Sequence, residues 1–339
     1  MLSYLEVSDG FIQLSKQAHL AEYEQWQQLP NQVQLKMHDV GVLEVKPRLK
    51  SNKALIISCG VHGNETAPIE IVSSQISDIV RGVIEPRVNL LYVLGNPESM
   101  KLGKRFVAIN MNRLFAGAYN NYPLDEENEY ELNRAQQLEN YVSDFFTQSH
   151  VESRTHLDLH TAIKPSYHQT FAIRPLKENK SRLNDKNRRF LLAMGMEAVL
   201  QHNKPSTTFS YYSSQAFAAE AYTLELGKVK PFGENNPQDF ADAIYCLNCI
   251  VQQNDIVAHD PQKLIEYKVV AEIIRHSEFF KFYINEEVEN FTPYPQGYLI
   301  AEDFDYNYRV AYSEESVVFP NPDIPIGQRA AVMVTKVTE

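Results

Sequence analysis

The chain has 339 residues, 44% of them hydrophobic and 22% charged, and its 32 Lys and Arg against 43 Asp and Glu leave a net charge of −11. Seventeen Phe and nineteen Tyr beside abundant aliphatics can fill a core, which excludes a disordered chain, and the length suits one large domain plus a smaller one. The acidic balance excludes non-specific binding to nucleic acid or to an anionic membrane surface, since each needs surplus cations to displace counterions, but it leaves room for a local basic pocket.

Residues 1–9 lack a basic stretch followed by an apolar one, so no secretory signal is expected there. No apolar run reaches the roughly 18–20 residues that span a bilayer. Cys59, Cys246 and Cys249 are too few for a disulfide framework, and their odd number fits a reducing compartment, so the expected location is the cytoplasm. The first fifty residues look β-rich, with 41–45 a candidate strand at the edge of the large domain. Residues 54–59 (ALIISC) read as a buried strand; after a loop, Ile69, Val72, Ile76, Ile79, Val80 and Val83 recur at helical steps. Residues 88–94 form the next strand, ended by Gly95-Asn96-Pro97, and Leu132, Ala135, Leu138, Val142, Phe145 and Phe146 mark a long amphipathic helix. Strands are expected at 155–160, 171–173 and 221–226, and helices at 182–196 and 239–253. Repeated strand–helix–strand units with apolar strands imply an α/β fold whose mostly parallel sheet is flanked by helices. After residue 253 the texture changes: short strand-like runs at 267–274, 279–284, 298–301, 317–319 and 330–337 are separated by Pro, Gly, Asn and Asp. The expected division is therefore 1–253, the large domain, and 254–339, a smaller β-rich domain.

Chemistry concentrates at three strand ends. His62 and Glu65 lie in CGVHGNE, where the first strand ends and its helix begins; the carboxyl ends of strands face the binding crevice of such sheets. A His and a Glu three apart can reach one metal ion, and imidazole with carboxylate suits zinc. The alternative is a Glu stabilised by the helix dipole beside an exposed loop His. In THLDLHT, residues 155–161, His156, Asp158 and His160 share one face of a strand whose other face carries Leu157 and Leu159. His160, at the carboxyl end, is the candidate third ligand, and Asp158 a candidate to orient an imidazole; the alternative is an edge strand with a wet face. Two His and a Glu leave a tetrahedral position for water, as in a catalytic zinc site. Glu225, alone among Tyr222, Leu224 and Leu226, is placed for a raised pKa and so for proton transfer, unless it pairs with Lys228 or Lys230. Arg105, Asn112 and Arg113 offer forked and neutral hydrogen bonds to an oxyanion or carboxylate. Cys246-Leu-Asn-Cys249 has CxxC spacing but lies within an apolar helix pattern with no second pair, so it reads as packing.

Together GVHGNETAPIE (60–70), GNPESMKLGKR (95–105), NMNRLF (110–115), HLDLHTAI (156–163), YTLELGKVKPFGEN (222–235) and FPNP (319–322) resemble the succinylglutamate desuccinylases, in the aspartoacylase branch of the zinc carboxypeptidase-like hydrolases. The resemblance runs from about residue 40 to the C-terminus. It implies a zinc-carboxypeptidase-like sheet, one Zn2+ per chain on His62, Glu65 and His160, Glu225 as catalytic acid/base, and Arg105 at the scissile carbonyl. It further implies substrate contacts from Asn112 and Arg113, with Lys164 a candidate for another carboxylate. The implied reaction is hydrolysis of the linear amide of N-succinyl-L-glutamate to succinate and L-glutamate, in arginine catabolism by the succinyltransferase route. The implied partner is a small polycarboxylate, and a homodimer is the oligomer it suggests. The rivals are an aspartoacylase-like N-acyl-amino-acid deacylase and, from another class, a non-catalytic zinc-binding protein. Two departures stand out: Asn110, where the family often has Asp, and Lys164, where it often has Arg, which keeps charge but loses the bidentate fork.

Overall fold

The computed structural model describes residues 1–17, 25–148, 150–175, 183–202, 204–257, 259–285 and 287–337. Strands β1 (Gln27–Gln28), β2 (Gln34–Asp39), β3 (Val42–Lys46), β4 (Lys53–Cys59), β5 (Asn89–Leu94), β6 (Ser153–Ala162), β7 (Phe171–Arg174), β8 (Ala198–Gln201) and β9 (Glu220–Lys228) precede the change of texture. After it come β10 (Ile265–Ile274), β11 (Lys281–Phe282), β12 (Thr292–Tyr294), β13 (Leu299–Asp303), β14 (Tyr306–Arg309), β15 (Glu315–Val318) and β16 (Arg329–Lys336). Among the described residues these make one thirteen-stranded sheet, ordered β1-β2-β3-β5-β4-β6-β9-β7-β8-β10-β16-β15-β12, and a separate β11-β13-β14 sheet. The central run β5, β4, β6, β9 is parallel, β7 and β8 run against it, and the margins are antiparallel. The large sheet is therefore mixed with a parallel centre. Beyond residue 253 its strands continue it, because β10 pairs in parallel with β8.

The helices are α1 (Leu2–Leu5), α2 (Gly10–Ser15), α3 (Thr66–Val80), α4 (Pro97–Lys101), α5 (Glu129–Phe146), α6 (Asp185–Ala193), α7 (Phe209–Phe217) and α8 (Ala241–Gln252). One face of the central strands, with Leu55, Ile57, Leu157, Leu159, Tyr222 and Leu224, packs against Ile69, Val72 and Ile76 of α3 and Leu247 of α8. The opposite face, with Ala54, Ile56, Leu91 and Val93, meets Leu132, Leu138 and Val142 of α5 and Phe209 of α7. No helix among the described residues is long and apolar enough to cross a membrane.

The β-rich reading of residues 1–50 needs a correction: two helices come first, because Leu5, Phe11 and Leu14 bury against the α3 side of the core. Strands β1 to β3 follow and form that margin of the sheet. The helix expected over 182–196 spans Asp185–Ala193, and its expected start at Arg182 lies outside the described residues. Of 279–284 only Lys281–Phe282 is strand. Cys246 and Cys249 are buried in α8, as packing requires, and burial pushes the Cys246 thiol up to about 12.

Candidate metal centre

Strand β4 delivers His62 and Glu65 through a turn whose shape is set by two glycines. Gly60 has φ +61°, a left-handed value that disfavours a side chain, and a Cβ on Gly63 would overlap the backbone of Ser99 and Met100 at α4. Glu65 then sits at the N-cap position of α3. Strand β6 lies at the centre of the sheet, not at an edge, and its alternation presents His156, Asp158 and His160 to the α7 side. Register pairs His160 with Glu225 on β9, so both side chains leave the sheet on that face.

His62, Glu65 and His160 are buried, and one donor atom of each lies within 4.8 Å of the other two. His62 Nδ1 is 2.8 Å from Glu65 Oε1, and His160 Nδ1 is 2.8 Å from Glu65 Oε2. The far side of each ring is held by an acceptor. His62 Nε2 donates to Asn110 Oδ1 at 2.9 Å, and His160 Nε2 to Asp158 Oδ2 at 3.0 Å. Asn110 Oδ1 also accepts the Asn112 N–H at 3.1 Å, which fixes which amide atom faces His62. In its neutral form each imidazole therefore carries its proton on Nε2 and turns the Nδ1 lone pair toward the Glu65 side.

The electrostatics are those of a buried anionic site facing imidazoles. Burial opposes ionisation of Glu65, yet His62 and His160 outweigh it and hold the carboxyl well below the usual range. Burial likewise opposes protonation of His160, but Asp158 and Glu65 hold it well above its usual value. His62 goes the other way, to about 4, because burial dominates over the attraction of Glu65 and Arg105 adds repulsion. Two imidazoles and a carboxylate converging in a buried pocket are a donor set that suits zinc, in the His2Glu composition of catalytic sites.

Glu225 is buried beside this group, and its Oε2 has no hydrogen-bond partner among the described residues. Burial, reinforced by Glu65 and Asp158 against the pull of His160 and Arg105, pushes its carboxyl up to about 7. It does not pair with Lys228 or Lys230; Lys230 Nζ instead lies 3.3 Å from Asp239. Arg105, about a third exposed, donates to Glu65 Oε1 at 2.7 Å and so borders the centre directly. Asn112 uses its Oδ1 to accept the Phe209 N–H at the start of α7 (3.1 Å). Arg113 donates to the Asn112 carbonyl, and burial first, then the like charges of Arg329 and Arg105, push it down to about 9. Lys164 is half-buried in the segment after β6.

Sequence reasoning named Asn110 only as a departure, although it orients His62, and it missed Arg329 altogether. Arg329 lies on β16, 3.1 Å from Glu272, and its effect on Arg113 brings a C-terminal cation to the arginine cluster. It missed, too, that Ser58 and Ser213 occupy the two nitrogens of His156, at 2.8 and 2.7 Å, which makes His156 a packing group.

Comparison with known proteins fits this geometry. Residues 51–248 match the succinylglutamate desuccinylase/aspartoacylase catalytic domain, and residues 262–337 the AstE/AspA barrel-sandwich hybrid domain. The chain is 37% identical to the succinylglutamate desuccinylase of Pseudoalteromonas atlantica, across 100% of its own length and 97% of that protein's. It is 39% identical to that of Shewanella frigidimarina, covering 90% of this chain and 88% of the relative. The crystal structure of the Vibrio parahaemolyticus succinylglutamate desuccinylase superposes with a TM-score of 0.87 at 36% identity, covering 97% of this chain and 95% of that one.

Proposed function

The chain belongs to the succinylglutamate desuccinylase/aspartoacylase family, and from that premise we propose that it hydrolyses the amide of N-succinyl-L-glutamate to succinate and L-glutamate in arginine catabolism. The observation that carries the chemistry is Glu225, a buried carboxyl with an orphaned oxygen beside the His62–Glu65–His160 group. His62, Glu65 and His160 would hold a zinc ion, which would supply Lewis acidity and lower the pKa of the attacking water.

Glu225 takes a proton from the attacking water and returns it to the departing nitrogen, so the side chain ends the cycle as it began. Burial raises the proton affinity of this carboxyl, which suits a group that must both accept and return a proton. Arg105, at the rim of the centre, is the group for the oxyanion that develops on the succinyl carbonyl. Arg113 grips a substrate carboxylate, and Asn112, whose Oδ1 is taken by α7, contributes its Nδ2. Lys164 is assigned a further carboxylate. Asp158 and Asn110 hold the imidazoles in register. We assign 1–253 to catalysis and 254–339 to the β-rich unit. The cytoplasm is the proposed location, supported by three free, buried cysteines, and a homodimer the proposed oligomer, to be read by size exclusion.

The test is kcat/KM of the zinc-loaded protein on N-succinylglutamate, N-succinylornithine, N-acetylaspartate and N-acetylglutamate. N-Succinylglutamate is expected to lead. Preference for N-acetylaspartate would move the reading to a deacylase of the aspartoacylase kind, and no turnover of any would leave a zinc-binding protein.

A further inference from the structure

Glu131 lies in the first turn of α5, where an acidic residue normally faces water and complements the helix dipole. Here it is 0% exposed. Its Oε1 accepts the Val107 N–H at 2.6 Å and Asn96 Nδ2 at 2.8 Å; its Oε2 accepts the N–H groups of Ala108 at 2.8 Å and Ile109 at 2.6 Å. Four neutral donors thus fill the roughly four lone-pair sites of a carboxylate. Three of them are consecutive backbone amides between Arg105 and Asn110. The fourth partner, Asn96, caps α4 by accepting the Ser99 N–H and donates its own N–H to Gly60, in the turn that carries His62. The Arg105 carbonyl in turn accepts the Gly63 N–H at 3.2 Å.

We propose that Glu131 is the positioning residue of this active site: its buried carboxylate clamps the 107–109 backbone, fixing Arg105 and Arg113 toward the substrate and Asn110 toward His62. The proposal rests on the reading of 105–113 as the substrate loop. A segment with Gly103, several polar side chains and no helix or strand over 104–110 has little else to hold its backbone in one conformation. Loop residues that carry chemistry need such a rigid support, because misplacement by about 1 Å is enough to lower a rate on the order of a hundredfold.

The experiment compares Glu131→Gln with Leu138→Ala, an apolar truncation in the buried face of the same helix that removes no hydrogen bond to the loop. The amide of Gln sets an NH2 against backbone N–H donors. Glu131→Gln is expected to lower kcat/KM on N-succinylglutamate by about a hundredfold and to release zinc to a chelator more readily, through Asn110 and His62. Leu138→Ala is expected to lower Tm at least as much while leaving both readouts near wild type. Equal effects from the two variants would overturn the proposal. If Glu131→Gln fails to fold, hydrogen exchange of the wild-type protein decides: slow exchange at 107–109, comparable to strand β4, supports the clamp, and fast exchange overturns it. Unchanged kinetics in Arg105→Ala and Arg113→Ala would overturn the substrate-loop reading separately, leaving the zinc and exchange results to judge the clamp.

Discussion

The two faces of strands β4, β6 and β9 divide the work of the molecule between them. On the α3 and α8 side, Leu55, Ile57, Leu157, Leu159, Tyr222 and Leu224 form unbroken apolar packing. On the α7 side, toward the carboxyl ends, Ser58, His156, Asp158, His160, Thr223 and Glu225 are just as buried but polar. Burying such groups is unfavourable unless each finds a partner. Nearly all do: Ser58 donates to Asp158, Asp158 accepts from His160, His156 bonds Ser213, and Thr223 meets Ser210. The exception is Glu225 Oε2. Toward the carboxyl ends of these strands, apolar packing thus lies on one face and the polar groups on the other, and neighbouring residues there should respond to mutation in opposite ways.

The sharpest break of that contrast is on β9. Glu225→Gln keeps the shape and removes the proton carrier, so kcat is expected to fall by about 10²–10⁴-fold with zinc still bound. Full activity in that variant, with metal content measured alongside, would remove Glu225 from the mechanism. On the apolar face the expectation inverts. Leu157→Ala, one residue from His156 and from Asp158, should cost about 2–5 kcal/mol in denaturant unfolding, while kcat/KM at temperatures where the variant is folded stays within a few-fold of wild type.

This division explains how much was legible beforehand. The alternation of THLDLHT and the lone Glu225 between Leu224 and Leu226 are local patterns, and strand periodicity alone sends the polar members to one side. The juxtaposition of His62, Glu65 and His160 was readable because each lies at a strand end or in the turn that follows one, where the fold class already delivers it. Helix α7 was missed because its buried face carries Ser210, Ser213 and Ser214 in place of an apolar stripe; Ser213 serves His156, 57 residues away on β6, and Ser210 serves Thr223 on the strand that follows. Asn110 and Glu131 escaped for a related reason. Their partners, His62 and the 107–109 amides, lie 48 and more than 20 residues away, and nothing in the local sequence distinguishes them from a loop Asn and a helix-start Glu. The short helices at the N-terminus were hidden by the β-rich composition that follows them.

The polar face should also carry a pH signature that the apolar face lacks. In the metal-free protein Glu225 is pushed up to about 7 from 4.5, first by burial. A group whose folded pKa is raised binds its proton more tightly folded than unfolded, so its contribution is fully present below about 4.5 and lost as pH rises through about 7. Metal-free Glu225→Gln should therefore match wild type in Tm near pH 4.5 and exceed it near pH 8. Melting curves that shift in parallel at both pH values would show that Glu225 titrates normally.

The finest contrast lies within the polar face itself, between the two imidazoles. His160 is backed by a carboxylate, Asp158, and His62 by a neutral amide, Asn110, at nearly the same distance. An anionic acceptor raises the basicity of the opposite ring nitrogen more than a neutral one, so the two imidazoles are unequal as candidate ligands. Asp158→Asn should weaken zinc binding by about 10–100-fold, in the range typical of second-sphere acceptors. Asn110→Asp should act in the opposite sense and by less. The Asp158 position has Ser58 to steady it, whereas a carboxylate at 110 would still have to accept the Asn112 N–H that Asn110 now accepts. The expected gain is a few-fold in zinc affinity, measured by chelator competition, with kcat almost unchanged. A loss of affinity would mean that the neutral amide at 110 is needed to hold the turn that carries Asn112 and Arg113, and that in this chain loop geometry outranks ligand basicity.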